Sequence, residues 1–453
     1  MFIFKQVICH MNFKNYFTLA FLASLFFACQ TVEKTTKPTN FIILFCDDMG
    51  YGDMGNTGHP TIRTPHLDRL AMDGMRFTNF YSGSPACTAS RYAILTGKYP
   101  VRAGFSWVLY PKSPRGIHPQ EVTIAEALKT QDYATACFGK WHLGFTKKDY
   151  WPLQNGFDEY LGFPYSNDMI PPKWPQIPLL SGNDTLSLDP NQNELTKMYT
   201  DKAVDFIERN QDEPFFLYLP YSMPHIPLHP GEDFAGQSRR GTYGDVIEEI
   251  DWSVGTIRAT LERLGLSENT LVFFTSDNGP WIIKDEIGGS SGLLRDGKGS
   301  TWEGGMHVPG IAFWPGTIPA GSVSMEMAST LDLFPTLLKE AGNTQTLAVD
   351  GEVLSERLRS ESAEVAHQPY FYYGLNNRLF AVRKGPWKLH VDRYSQTGKQ
   401  YFEQESPLLF NLEHDPSEQY ELSATYPDTV SALLQLLETH QAKILAEPSF
   451  FDR

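Results

Sequence analysis

The chain has 453 residues, 41% of them hydrophobic and 13% aromatic, which is enough apolar side chain for a large core and excludes a disordered or fibrous protein. A formal net charge of −15, from 53 acidic against 38 basic side chains, disfavours nucleic acid as a partner. It leaves room for a local cationic pocket in an acidic body.

Residues 1–29 carry only two charges, Lys5 and Lys14, and an apolar run over 17–28 that is too short for a membrane span but suits a secretory signal. Met11 is an alternative start. Cys29 follows Ala28 and precedes the polar stretch Gln30-Thr31-Val32-Glu33-Lys34, as at a lipoprotein cleavage site. The expectation is a signal peptide over 1–29, a tether over 30–39, and an exported bacterial protein, periplasmic or anchored in the membrane by lipid at Cys29. Simple secretion is the second reading. With Cys9 and Cys29 in the leader, Cys46, Cys87 and Cys137 remain. An odd remainder argues against a disulfide framework and flags one thiol with special chemistry.

Residues 40–46 form a continuous apolar run, as a central strand of a parallel sheet does, and stop at Asp47-Asp48. Thr64-Pro65-His66 opens a helix that Gly74 closes, and 122–128 reads as another. Strand 133–138 ends at Gly139-Lys140-Trp141-His142, and a helix over 195–210 leads to a strand over 215–220. A long helix over 244–264 precedes strand 270–276, and 308–314 with helix 331–341 completes the pattern. Alternating helices and buried strands predict an α/β fold with a mixed, mostly parallel sheet between helices over residues 40–345. From 346 to 453 short strands at 370–373, 379–383, 387–391 and 407–412 and a helix at 428–444 predict a smaller α+β subdomain, an antiparallel sheet plus helix. Cys46 and Cys137 fall inside strand runs and read as core.

The chemistry gathers after the strands. Asp47-Asp48 and Asp277-Asn278-Gly279 each follow one, and the carboxyl ends of parallel strands are where ligands bind. Three carboxylates and an amide suit a hard cation, calcium or magnesium. Any one Asp could instead cap a turn. Lys140 and His142 follow a strand, His225 lies shortly after another, and Lys298 sits in the glycine-rich Gly297-Lys298-Gly299-Ser300-Thr301. A lone lysine or histidine of this kind is more often solvated or a satisfied turn residue. With Arg91 they supply cations and proton carriers for a tetrahedral oxyanion.

Cys87 opens a helix that Gly97 closes, in Cys87-Thr88-Ala89-Ser90-Arg91, with Arg91 one turn along on the same face. Unpaired N–H groups and the guanidinium predict an anion site and a thiol of lowered pKa. A buried structural cysteine is the plainer alternative.

That pentapeptide with Leu95-Thr96-Gly97, together with Asp47-Asp48-Met49-Gly50-Tyr51-Gly52-Asp53, Gly139-Lys140-Trp141-His142-Leu143-Gly144 and Ser276-Asp277-Asn278-Gly279, resembles the signatures of type I, formylglycine-dependent sulfatases of the arylsulfatase kind. The likeness continues in 407–412 and Asp415-Pro416. It implies an alkaline-phosphatase-like fold, and oxidation of Cys87 to formylglycine (3-oxoalanine) by a formylglycine-generating maturation enzyme. It further implies an aldehyde hydrate that attacks the sulfur of a sulfate ester and gives a covalent sulfated enzyme before sulfate leaves. By motif, Asp47, Asp48, Asp277, Asn278 and an oxygen of the modified Cys87 hold calcium, with magnesium the second choice. Arg91 and Lys140 steady the hydrate and His142 is the base for elimination. His225 and Lys298, with Lys140, bind sulfate and serve the leaving oxygen, and Ser166 matches a sulfate-contacting serine. Two positions depart from the pattern: Ala89 replaces a common proline, and His307 replaces an arginine usual after the Glu-Gly-Gly turn.

Trp107, Tyr110, Trp174 and Trp281 fall near the expected pocket, which together with export points to a sulfated carbohydrate as substrate. Aromatics of this kind also serve as packing. Two other readings stand beside this one. A phosphomonoesterase or phosphodiesterase of the same superfamily would use the same acidic pairs, and a non-catalytic binder of sulfated glycans would keep the pocket with Cys87 unconverted.

Overall fold

A computed structural model describes residues 37–345, 347–360, 368–447 and 449–451. The expected leader, the lipid-bearing Cys29 and most of the tether lie outside the described residues.

In chain order the strands are β1 (Asn40–Cys46), β2 (Met75–Phe77), β3 (Phe80–Tyr81), β4 (Ala134–Phe138), β5 (Glu159–Gly162), β6 (Pro178–Ser181), β7 (Asp184–Leu188) and β8 (Phe215–Pro220). They continue with β9 (Thr270–Ser276), β10 (Gly310–Phe313), β11 (Ser322–Ser324), β12 (Ala328–Ser329), β13 (Tyr370–Tyr373), β14 (Leu379–Lys384), β15 (Trp387–His390) and β16 (Leu408–Asn411). Ten of them make one sheet in the order β11-β2-β10-β9-β1-β8-β4-β5-β6-β7. The five central neighbours β9, β1, β8, β4 and β5 all run parallel, so their carboxyl ends share one edge.

The unbroken apolar runs of the central strands follow from burial on both faces. Phe41, Ile43 and Phe45 of β1 point into one hydrophobic cluster, and Ile42, Leu44 and Cys46 into the cluster on the opposite face. The Pro65–Asp73 and Leu195–Arg209 helices and the long Thr242–Arg263 helix cover the second face. The helix expected from 122 begins at Ile124, because the Thr123 side chain accepts from the Glu126 N–H while Glu126 accepts from the Thr123 N–H, a reciprocal cap. At the sheet margins the mostly parallel pattern gives way: β10 runs antiparallel to both β9 and β2, and β6 and β7 form an antiparallel edge pair. The β7 strand exposes Leu186 and Leu188, so its short apolar alternation does not mark a buried face.

The later strands form the antiparallel sheet β13-β14-β15-β16. The Pro427–Ala446 helix packs on it through Leu433 and Leu437, in a cluster that also takes Tyr81, Ala93 and Leu331 from the larger part. The described residues from 38 onward thus make one compact unit. Among the described residues no helix is long and apolar enough to cross a membrane, and Cys46, Cys87 and Cys137 are all buried free thiols.

Candidate active site

Each of the five parallel strands delivers a polar side chain just past its carboxyl end. Asp47 and Asp48 follow β1, Asp277 and Asn278 follow β9, Lys140 and His142 follow β4, His225 follows β8, and Ser166 follows β5. The Cys87–Thr96 helix adds Cys87 and Arg91, and a loop adds Lys298. All eleven are buried, Lys298 being the most exposed at 6%. Gly279 allows the Asp277-Asn278 turn to press on the backbone of Gly304, whose carbonyl oxygen would lie 1.8 Å from a Cβ.

Three cations face three carboxylates here. Lys140 Nζ donates to Asp47 Oδ2 at 2.5 Å and to Ser166 Oγ at 3.1 Å, Lys298 Nζ donates to Asp48 Oδ2 at 2.6 Å, and Arg91 Nη2 donates to Asp277 Oδ2 at 2.9 Å. The remaining oxygens are the telling ones. Asn278 spends its amide N–H groups on Asp48 Oδ1 (2.8 Å) and the Gly279 carbonyl (2.9 Å), which leaves its own Oδ1 buried without a donor. Asp47 Oδ1 also accepts no hydrogen bond, with Arg91 Nη2 3.5 Å away in an ion pair that falls short of one. Single ligand atoms from Asp47, Asp48, Cys87 and His225 lie within 4.8 Å of one another. Buried acceptors without donors, in an oxygen-rich set, fit a hard divalent cation.

Electrostatics follow from this crowding. Burial alone would raise the Asp47 carboxyl, but Lys140, with Arg91 and Lys298, holds it well below the usual carboxylate range. Burial and then the Asp47 charge push Asp277 up to about 7. The expectation of a low-pKa thiol at Cys87 is overturned: burial first, and the Asp277 and Asp47 charges, drive it well up despite Lys140 and Lys298. The Arg91 guanidinium does not face the thiol alone, because Asp277 and the Lys140 carbonyl (2.7 Å) take its N–H groups. A neutral Cys87 lies 4.0 Å from Asp48 Oδ1.

The two histidines are held in defined tautomers. His142 Nε2 sits 2.9 Å from the Leu109 carbonyl, which only accepts, so Nε2 carries the proton and the buried Nδ1 keeps a free lone pair. Burial, then Lys140, lowers its pKa well below the ordinary value. His225 Nδ1 faces two acceptors, Ile226 O at 2.6 Å and Asn167 Oδ1 at 3.0 Å, which leaves Nε2 turned to Asp48 Oδ2 at 3.6 Å. Asp48 and His142 both sit at positive φ, 69° and 59°, the backbone strain that accumulates at functional sites.

Residues 39–343 match the family model described as Sulfatase, and residues 365–453 match the one described as C-terminal region of aryl-sulfatase. The chain belongs to the sulfatase family. This sulfatase is 39% identical to arylsulfatase A of Homo sapiens over 91% of its own length and 90% of the relative. It is 36% identical to N-acetylgalactosamine-6-sulfatase of Mus musculus, over 90% and 87%. Among solved structures it resembles Ps i-CgsB in complex with k-i-k-neocarrahexaose, at 28% identity and a TM-score of 0.77 over 89% of this chain and 92% of that one. The protein is therefore a sulfuric ester hydrolase with an alkaline-phosphatase-like sulfatase fold. The same relatives correct one expectation. A bacterial periplasmic protein or lipoprotein conflicts with human, bovine and mouse sulfatases matching the chain at 36–40% identity over 89–91% of its length, and that placement is withdrawn.

Sequence reasoning missed the groups that orient the sulfatase's histidines. Asn167 and the Leu109 carbonyl carry no motif, and only the folded chain brings them to His225 and His142. It also missed a buried network that fixes the loop after Lys298. From β15, Lys388 Nζ donates to the Thr301 carbonyl and to Glu303 Oε1, both at 2.8 Å, and lies 3.0 Å from Glu418 Oε1. Glu418 also accepts from the Glu303 N–H at 2.7 Å and faces His390 Nε2 at 2.7 Å. His307 belongs to this network, 3.3 Å from Glu303 Oε2 and packed on Tyr51 and Tyr81, while Ala89 is buried in the main core. A cavity of about 850 Å³ lined by Tyr51, His307, Arg383 and Leu412 contains none of the eleven residues.

Of the aromatics singled out, Trp281 packs 5.5 Å from His225 with Lys298 Nζ 4.7 Å over its ring, and Trp107 lies against Gly299. Tyr110 and Trp174 stack on each other.

Proposed function

We propose that this sulfatase releases inorganic sulfate from a sulfated carbohydrate, with Cys87 converted to formylglycine and calcium held by Asp47, Asp48, Asp277, Asn278 and an oxygen of the modified residue. The observation that carries the reading is the pair of donorless oxygens, Asp47 Oδ1 and Asn278 Oδ1, in a buried cluster that Cys87 faces. When present, the cation supplies positive charge beside the nucleophilic oxygen, and formylglycine supplies an aldehyde hydrate where a thiol stood.

The chain's own residues divide the remaining work. Lys298 and Lys140, with the Ser166 hydroxyl beside it, present N–H and O–H donors to the sulfate oxygens. His225 has its Nδ1–H occupied by Asn167 and Ile226, so in the doubly protonated imidazolium form Nε2 is the atom that hands a proton to the departing alcohol. The free lone pair of His142 Nδ1 suits a base that later removes a proton from the nucleophile's second hydroxyl. Arg91, clamped between Asp277 and the Lys140 carbonyl, keeps those carboxylates and that lysine in register. A sulfate monoester carries a single negative charge, so an acid at the leaving oxygen contributes more than extra cations at sulfur. Since Cys87 is 1% exposed, a maturation enzyme reaches it before the fold closes.

The names of the relatives, a sulfatase of N-acetylgalactosamine 6-sulfate and a structure holding a neocarrahexaose, support sugar sulfates as the substrate class. Sulfate release from a panel of sulfated mono- and oligosaccharides, with an aryl sulfate and an aryl phosphate alongside, tests the reading. Turnover of sugar sulfates is expected. Activity on aryl sulfates alone would remove the carbohydrate proposal, and a strong preference for the aryl phosphate would remove the sulfatase chemistry.

A further inference from the structure

We infer that Tyr110, backed by Trp174, is a subsite for the sugar ring next to the sulfated one in an oligosaccharide substrate; this rests on the carbohydrate reading above. The two rings stack at 5.1 Å between centroids with 13° between planes. Tyr110 is 44% exposed, whereas Trp174 is half-buried and packs on the core that covers one face of the sheet. A large flat ring left open to solvent beside a buried reaction centre calls for explanation, and sugar rings stack on such faces through their axial C–H groups.

Two observations fix this platform relative to the chemistry. Leu109, the residue before Tyr110, donates its N–H to Thr88 Oγ1 at 3.0 Å, next to Cys87, and its carbonyl holds His142 at 2.9 Å. On the other side Tyr110 closes a tight turn, its N–H donating to Ser113 Oγ at 2.8 Å and its carbonyl accepting from Ser113 N at 2.9 Å. The ring is thus preorganised one residue away from a carbonyl that holds His142 and an N–H that holds Thr88, the neighbour of Cys87, so binding a neighbouring sugar costs little ordering. Lys173 Nζ lies 5.3 Å over Trp174, on the platform's flank, which suits a substrate bearing further anionic groups.

The test compares kcat/KM for a sulfated monosaccharide and for a trisaccharide ending in the same sulfated ring, in the full chain and in Tyr110→Ala, Tyr110→Leu and Tyr110→Phe. The wild type is expected to gain about tenfold from the longer substrate, mostly in KM. Tyr110→Ala and Tyr110→Leu are expected to abolish that gain, and Tyr110→Phe, which keeps the flat ring, to retain it. A gain that survives in Tyr110→Ala and Tyr110→Leu, or a wild type indifferent to chain length, overturns the subsite and leaves the carbohydrate reading standing. Hydrolysis of aryl sulfate with no sulfate released from either saccharide overturns the carbohydrate reading itself.

Discussion

Asn167 locks His225 in place: its Oδ1 accepts from His225 Nδ1 at 3.0 Å, and its amide donates back to the His225 carbonyl at 3.4 Å and to the Pro227 carbonyl at 3.1 Å. Asn167 is wholly buried and one residue from Ser166, so a single turn after β5 sets both the proposed sulfate-contacting serine and the orientation of the proposed acid. Asn167→Ala is expected to lower kcat about tenfold to hundredfold, the usual cost of losing a group that orients a reacting one. Asn167→Asp keeps the acceptor and adds negative charge beside the imidazole. It is expected to recover most of the rate and to move the alkaline limb of the kcat–pH profile upward. Both variants within twofold of wild type, with an unshifted profile, would remove Asn167 from the account.

The donorless oxygens of Asp47 and Asn278 predict a stability effect as well as a catalytic one. A cation bound only to the folded chain raises its melting temperature, and raises it further as the free cation concentration climbs above its dissociation constant. Thermal unfolding after exhaustive chelation is expected to begin at lower temperature, and calcium is expected to restore both melting temperature and sulfate release. Identical melting curves with chelator and with calcium would argue against the cation.

Lys388 sits with no exposed surface between Glu303 and Glu418. Lys388→Met leaves two buried carboxylates without their cation, a change that costs about 3–5 kcal/mol in comparable buried pairs. Because Thr301 loses its donor as well, the Lys298 loop loosens, and kcat/KM for sulfate release is expected to fall together with stability to urea. Unchanged urea stability would show the network to be dispensable.

The motifs after β1, β4, β8 and β9 were legible because a parallel sheet places the carboxyl end of each strand on one edge, so chain order alone says which residues can meet. Long apolar runs such as residues 40–46 and 270–276 announce their strands. What the sequence withheld depends on neighbours distant in the chain. The alternating leucines of β7 face solvent rather than a core, and the antiparallel direction of β10 follows from its pairing with both β9 and β2. Asn167 and Leu109 act through position alone. The Cys87 thiol departs from its local signature because a helix start and one arginine are visible in the sequence, whereas the two carboxylates and the depth of burial that oppose them come from distant β1 and β9.

Asp251 predicts a pH dependence of stability. Buried in the Thr242–Arg263 helix, it accepts from the N–H groups of Leu67 (2.7 Å) and His66 (3.2 Å), yet burial outweighs these bonds and pushes its carboxyl up to about 7 from the usual 3.8. A carboxyl whose folded pKa is raised holds its proton longer in the native state. Its contribution is complete below the unfolded value of 3.8 and is lost as pH rises through about 7. Asp251→Asn is expected to flatten the fall in urea stability between pH 5 and pH 8. A slope equal to that of the wild type would show that Asp251 does not titrate in this window.

The central claim is that Cys87 is the precursor of the nucleophile. Its most direct measurement is the mass of the peptide containing residue 87, from protein produced with a formylglycine-generating enzyme, set against sulfate release by the same preparation. The account predicts a peptide in which CHO has replaced CH2SH, with activity proportional to the converted fraction. Full sulfatase activity from protein whose Cys87 is entirely unconverted would contradict it.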